Sequence, residues 1–347
     1  MGYDGVVANP GHDPIDVAVT GPTGTFGLAL MPQLLDDERI GRVVGIARRP
    51  FDPTSHGWTD MEYRRGDVRD PAALAAAFDG AEVVVHLAFL ITGAASPATI
   101  RSINVDGTLN AFRAAAEAGV RRFVYASSVA AYGFHADNPE PLREDWPVRP
   151  AAHLFYAQEK AEVEQLLLDE AGRSEVELYL LRPPIVLGPH ALGAKGVLPD
   201  PLMSLLGRVG GAVTRSPLPV PVPAPDLPVQ FIHEDDVADA FLRCIVAAGP
   251  PGAYNIAGDG VLTIGQVARE VGLAPIPVPG AIARRVAGAV ASLPLPSFVP
   301  PLTEWAEALA NPPVMDTSAA RRELGWAPRW SGLEALRATV SPTPPAS

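Results

Sequence analysis

The chain has 347 residues, a formal net charge of −12, 48% hydrophobic residues and one cysteine. The acidic surplus argues against an electrostatic footprint for nucleic acid or an anionic membrane. A lone Cys244 excludes an internal disulfide framework and a cysteine-rich metal site, while the length and apolar content suit a sizeable core in one large or two modest domains.

Residues 1–14 (MGYDGVVANPGHDP) lack both a basic and an apolar leader segment and read as a short mobile tail. No run of about 18 uninterrupted apolar residues follows, so no membrane span is expected and the cytoplasm is the default location. IDVAVT then reads as a strand, followed by a turn with Thr23 at its centre and a helix over 26–36. Gly21, Gly24 and Gly27 form T-G-x-x-G-x-x-G in that context. The first glycine permits a tight turn, the second lets a pyrophosphate approach the backbone, and the third lets helix and strand pack closely. Unpaired N–H groups at the helix start face the phosphate. A dinucleotide site is therefore expected.

The second strand, RVVGIARRP, ends on Ala47 where an NAD-preferring site needs an acid for the ribose hydroxyls. Arg48 and Arg49 follow, and a guanidinium pairs bidentately with a 2′-phosphate, so NADP(H) is favoured with NAD(H) as the alternative. Further strand-like runs, MEYRRG, AEVVVHLAF, RRFVYASS and VELYLLRPP, alternate with helix candidates at 71–78, 97–118 and 155–171. That alternation predicts an α/β fold with a Rossmann-type doubly wound parallel sheet, whose ligands sit at the carboxyl ends of the strands. After Gly188 the proline-dense VTRSPLPVPVPAPDLPVQ reads as an extended excursion. The expected organisation is a tail over 1–14, a dinucleotide-binding domain over 15–187 to which 229–248 return, a smaller C-terminal α/β substrate lobe from 188–228 and 249–340, and a tail over 341–347.

Tyr156 and Lys160 lie four apart on the predicted helix 155–171, which places the ammonium near the phenol. A cation within reach favours the phenolate, making the tyrosine a proton donor and acceptor at neutral pH. Ser127 and Ser128 stand at a strand end, from which a serine hydroxyl could hold the same substrate oxygen. Elsewhere plainer readings are preferred. His86 is expected to be a satisfied structural histidine, Cys244 a buried helix position, and Asp235 or Asp236 a first-turn acid facing a helix dipole. Trp326 and Trp330 are expected to pack a terminal lobe. No metal-ligand spacing is present.

TGPTGTFG, GDVRD, HLAF, NVDGT, YASSVAAYG, YAQEK, LRPPIVLGP, FIHEDDVADA, YNIAGD and DTSAARRELGWAPRW occur in this order between about 15 and 337. Together they resemble the extended short-chain dehydrogenase/reductase superfamily, in its NAD-dependent epimerase/dehydratase group. The resemblance implies that Thr25 and Phe26 touch the pyrophosphate and that Asp67 and Val68 touch the adenine. It implies Leu87, Ala88 and Phe89 at the cofactor's centre, Asn104 on its ribose side, and Pro183 and Pro184 beside the nicotinamide. Ser128, Tyr156 and Lys160 match the catalytic set, with Ser127 a neighbour and Lys160 also holding the nicotinamide ribose.

Departures narrow the chemistry. Val129 and Ala130 stand where the dehydratases of this group carry an Asp-Glu pair, which argues against dehydration. Ile185 and Val229 stand where sugar epimerases place an asparagine and an arginine on a nucleotide diphosphate. The expected substrate wall, Leu198 to Val222, is apolar apart from Asp200, Arg208 and Arg215. The reading is an NAD(P)-dependent oxidoreductase interconverting a carbonyl and a secondary alcohol on a small, mainly apolar substrate. A nucleotide-sugar epimerase and a non-catalytic dinucleotide sensor are the alternatives. The resemblance also suggests a homodimer through helices 97–118 and 155–171.

Overall fold

A computed structural model describes residues 13–91, 96–151, 154–191, 219–291 and 307–340. The strands are β1 (Ile15–Thr20), β2 (Ile40–Ala47), β3 (Met61–Arg65), β4 (Val83–His86), β5 (Arg122–Ala126), β6 (Glu177–Arg182), β7 (Ile185–Leu187), β8 (Pro221–Pro225), β9 (Pro228–Val229), β10 (Phe231–His233), β11 (Gly252–Asn255), β12 (Leu262–Thr263) and β13 (Ala274–Val278). Helices with them are α1 (Thr25–Asp36), α2 (Pro71–Phe78), α3 (Pro97–Arg101), α4 (Gly107–Glu117), α5 (Phe155–Ala171), α6 (Glu234–Ile245), α7 (Ile264–Glu270), α8 (Gly280–Ala291), α9 (Ser318–Glu323) and α10 (Gly332–Val340).

Seven strands form one sheet in the order β11-β6-β5-β4-β1-β2-β3. Every pairing in it is parallel. Parallel strands covered on both faces read as continuous apolar runs because alternate residues feed two separate cores. Val17, Val19, Val83, Val85 and Val124 pack beneath α1 and α6. Ala18, Val44, Val84, Phe123 and Leu180 pack on the other side beneath α2, α4 and α5. The fold is the doubly wound, Rossmann-type α/β arrangement.

Helix α2 starts where the sequence predicts, because the Asp70 carboxylate accepts the N–H groups of Ala72 and Ala73 and Pro71 occupies the first turn. The predicted helix 97–118 is not uniform. A π turn over Ser102–Asp106 separates α3 from α4, with the Asn104 side chain reaching the backbone of Leu90 beyond β4.

Two expectations for the C-terminal region are corrected. Residues 249–340 do not all lie apart from the main sheet, because β11 pairs along β6 from Gly252 opposite Tyr179 to Asn255 opposite Arg182. The outer edge of β6 supplies a full ladder that a short GAYN segment accepts despite its weak apolar pattern. Trp326 packs into the main core beside α1 and α6 and donates its Nε1–H to Asp236 O at 3.0 Å. The buried Asp236 carboxylate accepts the N–H groups of Arg329 at 2.9 Å and Trp330 at 3.1 Å, tying the returning chain to α6. Trp330 stacks on His233 with centroids 4.3 Å apart.

The described end of the proline-dense segment is extended, as expected. β8 pairs in parallel with β13, Pro221 opposite Ala274 and Pro225 opposite Val278. Ala274 N–H donates to Val220 O and Asp226 N–H to Val278 O, so the even-numbered residues of both strands face one another. Pro221, Pro223 and Pro225, and on the partner Pro275 and Pro277, fall at the outward positions, where a missing N–H costs the pair no hydrogen bond.

Candidate functional site

Three glycines shape the loop between β1 and α1, each for a different reason. Gly21 has φ +71°, and a Cβ there would lie 3.0 Å from Ala88 N. At Gly27 a Cβ would fall 2.2 Å from Pro22 O. A Cβ on Gly24 would meet no protein atom closer than Gly21 O at 3.4 Å. Gly24 is also the N-cap of α1, and no side chain caps it. The loop thus presents a helix N-terminus across space that no side chain of the loop fills, which suits a dinucleotide's diphosphate. The Phe26 ring packs near Phe241, with centroids 6.1 Å apart. Thr25 Oγ1 donates to His190 O at 3.1 Å.

At the far end of the cleft, Ala47 closes β2. Arg48 and Arg49 are exposed, and among the described residues neither takes part in a salt bridge. Arg65 Nε donates to Arg48 O at 3.1 Å. Asp67 is clasped by Arg69, whose Nε lies 3.0 Å from Oδ1 and whose Nη2 lies 2.7 Å from Oδ2. That hydrogen bonding holds the Asp67 carboxyl below its ordinary range. Val68 is buried against Gly107, where a Cβ would approach Val68 Cγ2 to 2.5 Å.

His86 ends β4 as the structural residue expected. Its Nε2 lies 3.0 Å from Thr108 Oγ1, which donates its own proton to Asn104 O at 2.6 Å. Thr108 therefore accepts from His86, the ring carries its proton on Nε2, and Nδ1 accepts from Thr20 Oγ1 at 2.9 Å. Thr20 Oγ1 in turn accepts the N–H groups of Leu87 and Ala88, which sets the path of the loop that ends in Phe89. Burial pushes His86 down to about 3, and the Lys160 charge acts in the same direction.

Asn104 is the residue expected on the ribose side of the cofactor. It is fully buried, and its amide is taken up by Leu90 N–H at 2.7 Å, Leu90 O at 2.9 Å and Glu159 Oε2 at 2.7 Å. It shapes the loop wall from behind. Ser127 Oγ donates to Glu164 Oε1, away from Ser128. Neighbouring residues on an extended backbone point to opposite sides, so only one of the two serines faces the cleft.

That residue is Ser128. It caps a 3₁₀ turn over Val129–Tyr132, its Oγ accepting Ala130 N–H at 3.1 Å. Val129 N–H donates to Pro183 O at 2.9 Å, which places the Pro183–Pro184 corner against the same turn. Burial raises the Tyr156 phenol above its ordinary value, and the nearby Ser128 hydroxyl only partly opposes that shift. The expected stabilisation of a phenolate by Lys160 is therefore corrected. Lys160 Nζ donates to Tyr125 Oη at 3.1 Å and to Ala126 O at 2.6 Å, and lies 5.9 Å from the Tyr156 ring centroid. The Phe89 ring covers it at 3.6 Å and meets Tyr156 edge-on at 5.7 Å. Burial lowers Lys160 to about 7, with Glu164 and Glu159 acting in the opposite direction.

Sequence reasoning did not single out Tyr125, Glu164 or Arg182. Glu164 follows Lys160 by four and Tyr156 by eight, the spacing that keeps three residues on one helix face. Ile185 and Val229 both pack against an apolar cluster with Leu187, Phe231 and Leu262. The expected substrate wall lies outside the described residues from 198 to 218. Among the described residues no group of three or more His, Cys, Asp or Glu is placed to hold a metal, and no helix is long and apolar enough to cross a membrane.

A family model described as NAD dependent epimerase/dehydratase matches residues 17–257. An uncharacterized protein of Mycobacterium bovis is 28% identical over 329 residues, spanning 92% of this chain and 82% of that protein. Human 3 beta-hydroxysteroid dehydrogenase type 7 is 34% identical over 168 residues, 45% of this chain and 44% of the relative. The crystal structure of the Bordetella bronchiseptica enzyme WbmG in complex with NAD superposes with a TM-score of 0.69 at 20% identity, covering 96% of this chain and 94% of that one. The family match spans the glycine loop, the Ser128 turn, Tyr156 and Lys160. The chain is an enzyme of the NAD dependent epimerase/dehydratase family.

Proposed function

We propose that this enzyme interconverts a carbonyl and a secondary alcohol on a small, mainly apolar substrate, with NADP(H) preferred to NAD(H). The closeness of the Ser128 hydroxyl to the Tyr156 phenol carries the reading, because it brings together two hydroxyl groups able to hold one substrate oxygen. The nicotinamide, when bound, supplies or accepts the hydride. Tyr156 gives its phenolic proton to the oxygen as the alcohol forms, and Ser128 orients that oxygen. Burial holds the phenol in its protonated form at neutral pH, the form that donates to a carbonyl oxygen. Lys160 commits two of its three N–H groups to Tyr125 and Ala126, leaving one for a ribose hydroxyl.

Apolar specificity is supported by Ile185 and Val229, which offer no cation or amide to a nucleotide diphosphate, and by the likeness to a relative named as a hydroxysteroid dehydrogenase. NADP(H) is supported by the exposed Arg48 and Arg49 beyond Ala47. The test is oxidation of NADPH monitored optically across a panel of alicyclic and steroidal ketones, beside calorimetry with UDP- and dTDP-sugars. Turnover of a ketone with no nucleotide-sugar binding is the expected result. A micromolar dissociation constant for a nucleotide sugar, with epimerisation and no net cofactor oxidation, replaces this reading with a sugar epimerase.

A further inference from the structure

Behind the Ser128 turn lies a buried polar network that none of the roles above explains. The Glu164 carboxylate is fully buried, and Arg182 is nearly so. Arg182 Nε lies 2.9 Å from Oε1 and Nη2 lies 2.5 Å from Oε2 of Glu164. Ser127 Oγ donates to the same Oε1. Arg182 Nη1 continues to Tyr132 Oη at 2.7 Å, and Tyr132 Oη donates to Asn255 Oδ1 at 2.8 Å.

We infer that Glu164 is a positioning residue of the active site, a single buried carboxylate that clasps three segments around the reacting groups. Just beyond β5 it holds Ser127, the residue before Ser128. From β6 it holds Arg182, the residue before the Pro183–Pro184 corner, whose Pro183 O is bonded by Val129 N–H. On its own helix it stands one turn beyond Lys160 and two beyond Tyr156. A purely structural ion pair in such a place is weak support for stability, since desolvation offsets much of the attraction. Its placement among three site-bearing segments gives it a second consequence, an electrostatic one. Lys160 is faced by Glu159 and Glu164 from α5, Tyr156 from the same helix, Tyr125 from β5, His86 from β4 and the Phe89 ring. Glu164 is the larger of the two acidic influences holding Lys160 protonated against burial.

The inference rests on the proposed roles of Ser128, Tyr156 and Lys160, but its test reads Lys160 directly. The sequence contains only two lysines, Lys160 and Lys195, so 13C-labelled lysine gives two side-chain resonances that a Lys195→Arg variant assigns. Glu164→Gln keeps the shape and removes the charge. The Lys160 titration midpoint should fall by about one unit or more, an about tenfold fall in the ratio of charged to neutral lysine. NADPH affinity at pH 7 should weaken several-fold. If that variant does not fold, Glu164→Gln combined with Arg182→Gln replaces the ion pair by amides, and a smaller fall in the same direction is expected because the Arg182 charge leaves with it. A Lys160 midpoint within half a unit of wild type in Glu164→Gln, or an unchanged one in the double variant, with unchanged NADPH affinity, overturns the positioning role. That result leaves the proposed activity standing, whereas wild-type turnover in Tyr156→Phe removes the activity reading without touching the Lys160 titration.

Discussion

The Lys160 ammonium lies 3.6 Å from the centroid of the Phe89 ring, so an aromatic face closes over the cation that the site depends on. The contact has two opposed effects. The ring's quadrupole favours the charged lysine, by about 0.5–2 kcal/mol, while its bulk keeps water away. Burial is the larger influence on Lys160 and pulls it down to about 7. Phe89→Ala should therefore raise the Lys160 midpoint toward 10.5, its ordinary value, as water enters. Lysine NMR titration checks this, and a lower midpoint would mean that the cation–π attraction outweighs desolvation.

The glycine loop separates folding from binding. Gly27→Ala puts a methyl 2.2 Å from Pro22 O and should lower the melting temperature by several degrees whether or not cofactor is present. Gly24→Ala meets nothing closer than 3.4 Å, so the fold should tolerate it and NADPH affinity should drop by about tenfold or more. Thermal melts beside fluorescence titration separate the two outcomes.

His86 makes stability depend on acid. Its folded value of about 3 lies below the ordinary 6.5, so between these pH values the unfolded chain binds a proton that the folded chain refuses. The His86 contribution is full above 6.5 and is lost as pH falls toward 3, at about 1.4 kcal/mol per unit within the window. His86→Asn should cost about 1–3 kcal/mol at pH 7 through the disrupted Thr20 and Thr108 bonds. Its deficit should shrink as pH falls to 4. Urea unfolding at several pH values reads both effects.

Tyr156→Phe should reduce turnover by about 10² to 10⁴ with cofactor affinity nearly unchanged. Because burial raises the phenol, alcohol oxidation, which needs the phenolate, should accelerate from pH 7 upward. Carbonyl reduction should hold steady over the same range and fall only as the phenol ionises. An oxidation rate independent of pH between 7 and 10 would remove Tyr156 as the base.

Arg48→Ala should weaken NADPH binding by about tenfold, the scale of one lost charge-assisted contact, and leave NADH affinity alone. Parallel titrations of both cofactors measure it. Tighter NADH than NADPH binding by the wild-type enzyme would reverse the cofactor assignment.

Local rules made much of this fold readable. Gly24 and Gly27 announce a loop whose close contacts lie within a few residues, and Asp70 with Pro71 announces the start of α2. The spacing of Tyr156 and Lys160 likewise places both on one helix. What the spacing does not contain is the destination of the ammonium, because Tyr125 Oη and Ala126 O reach it from a strand more than thirty residues away. The distinction between Ser127 and Ser128 depends on the same strand's alternation and on Glu164 beneath it. Strand β11 escaped notice because GAYN has almost no apolar run, and the unfilled edge of β6 recruits it.

The proline ribbon of β8 and β13 sets a limit on how this molecule meets others. Pro221, Pro223 and Pro225 line one rim and Pro275 and Pro277 the other. A strand arriving at either rim would find carbonyl acceptors there but, at those five positions, no amide proton to receive. Growth of the ribbon by backbone recognition, whether toward a peptide or toward another copy of the chain, is halved in its hydrogen bonds before it begins. Contacts at that rim fall to side chains.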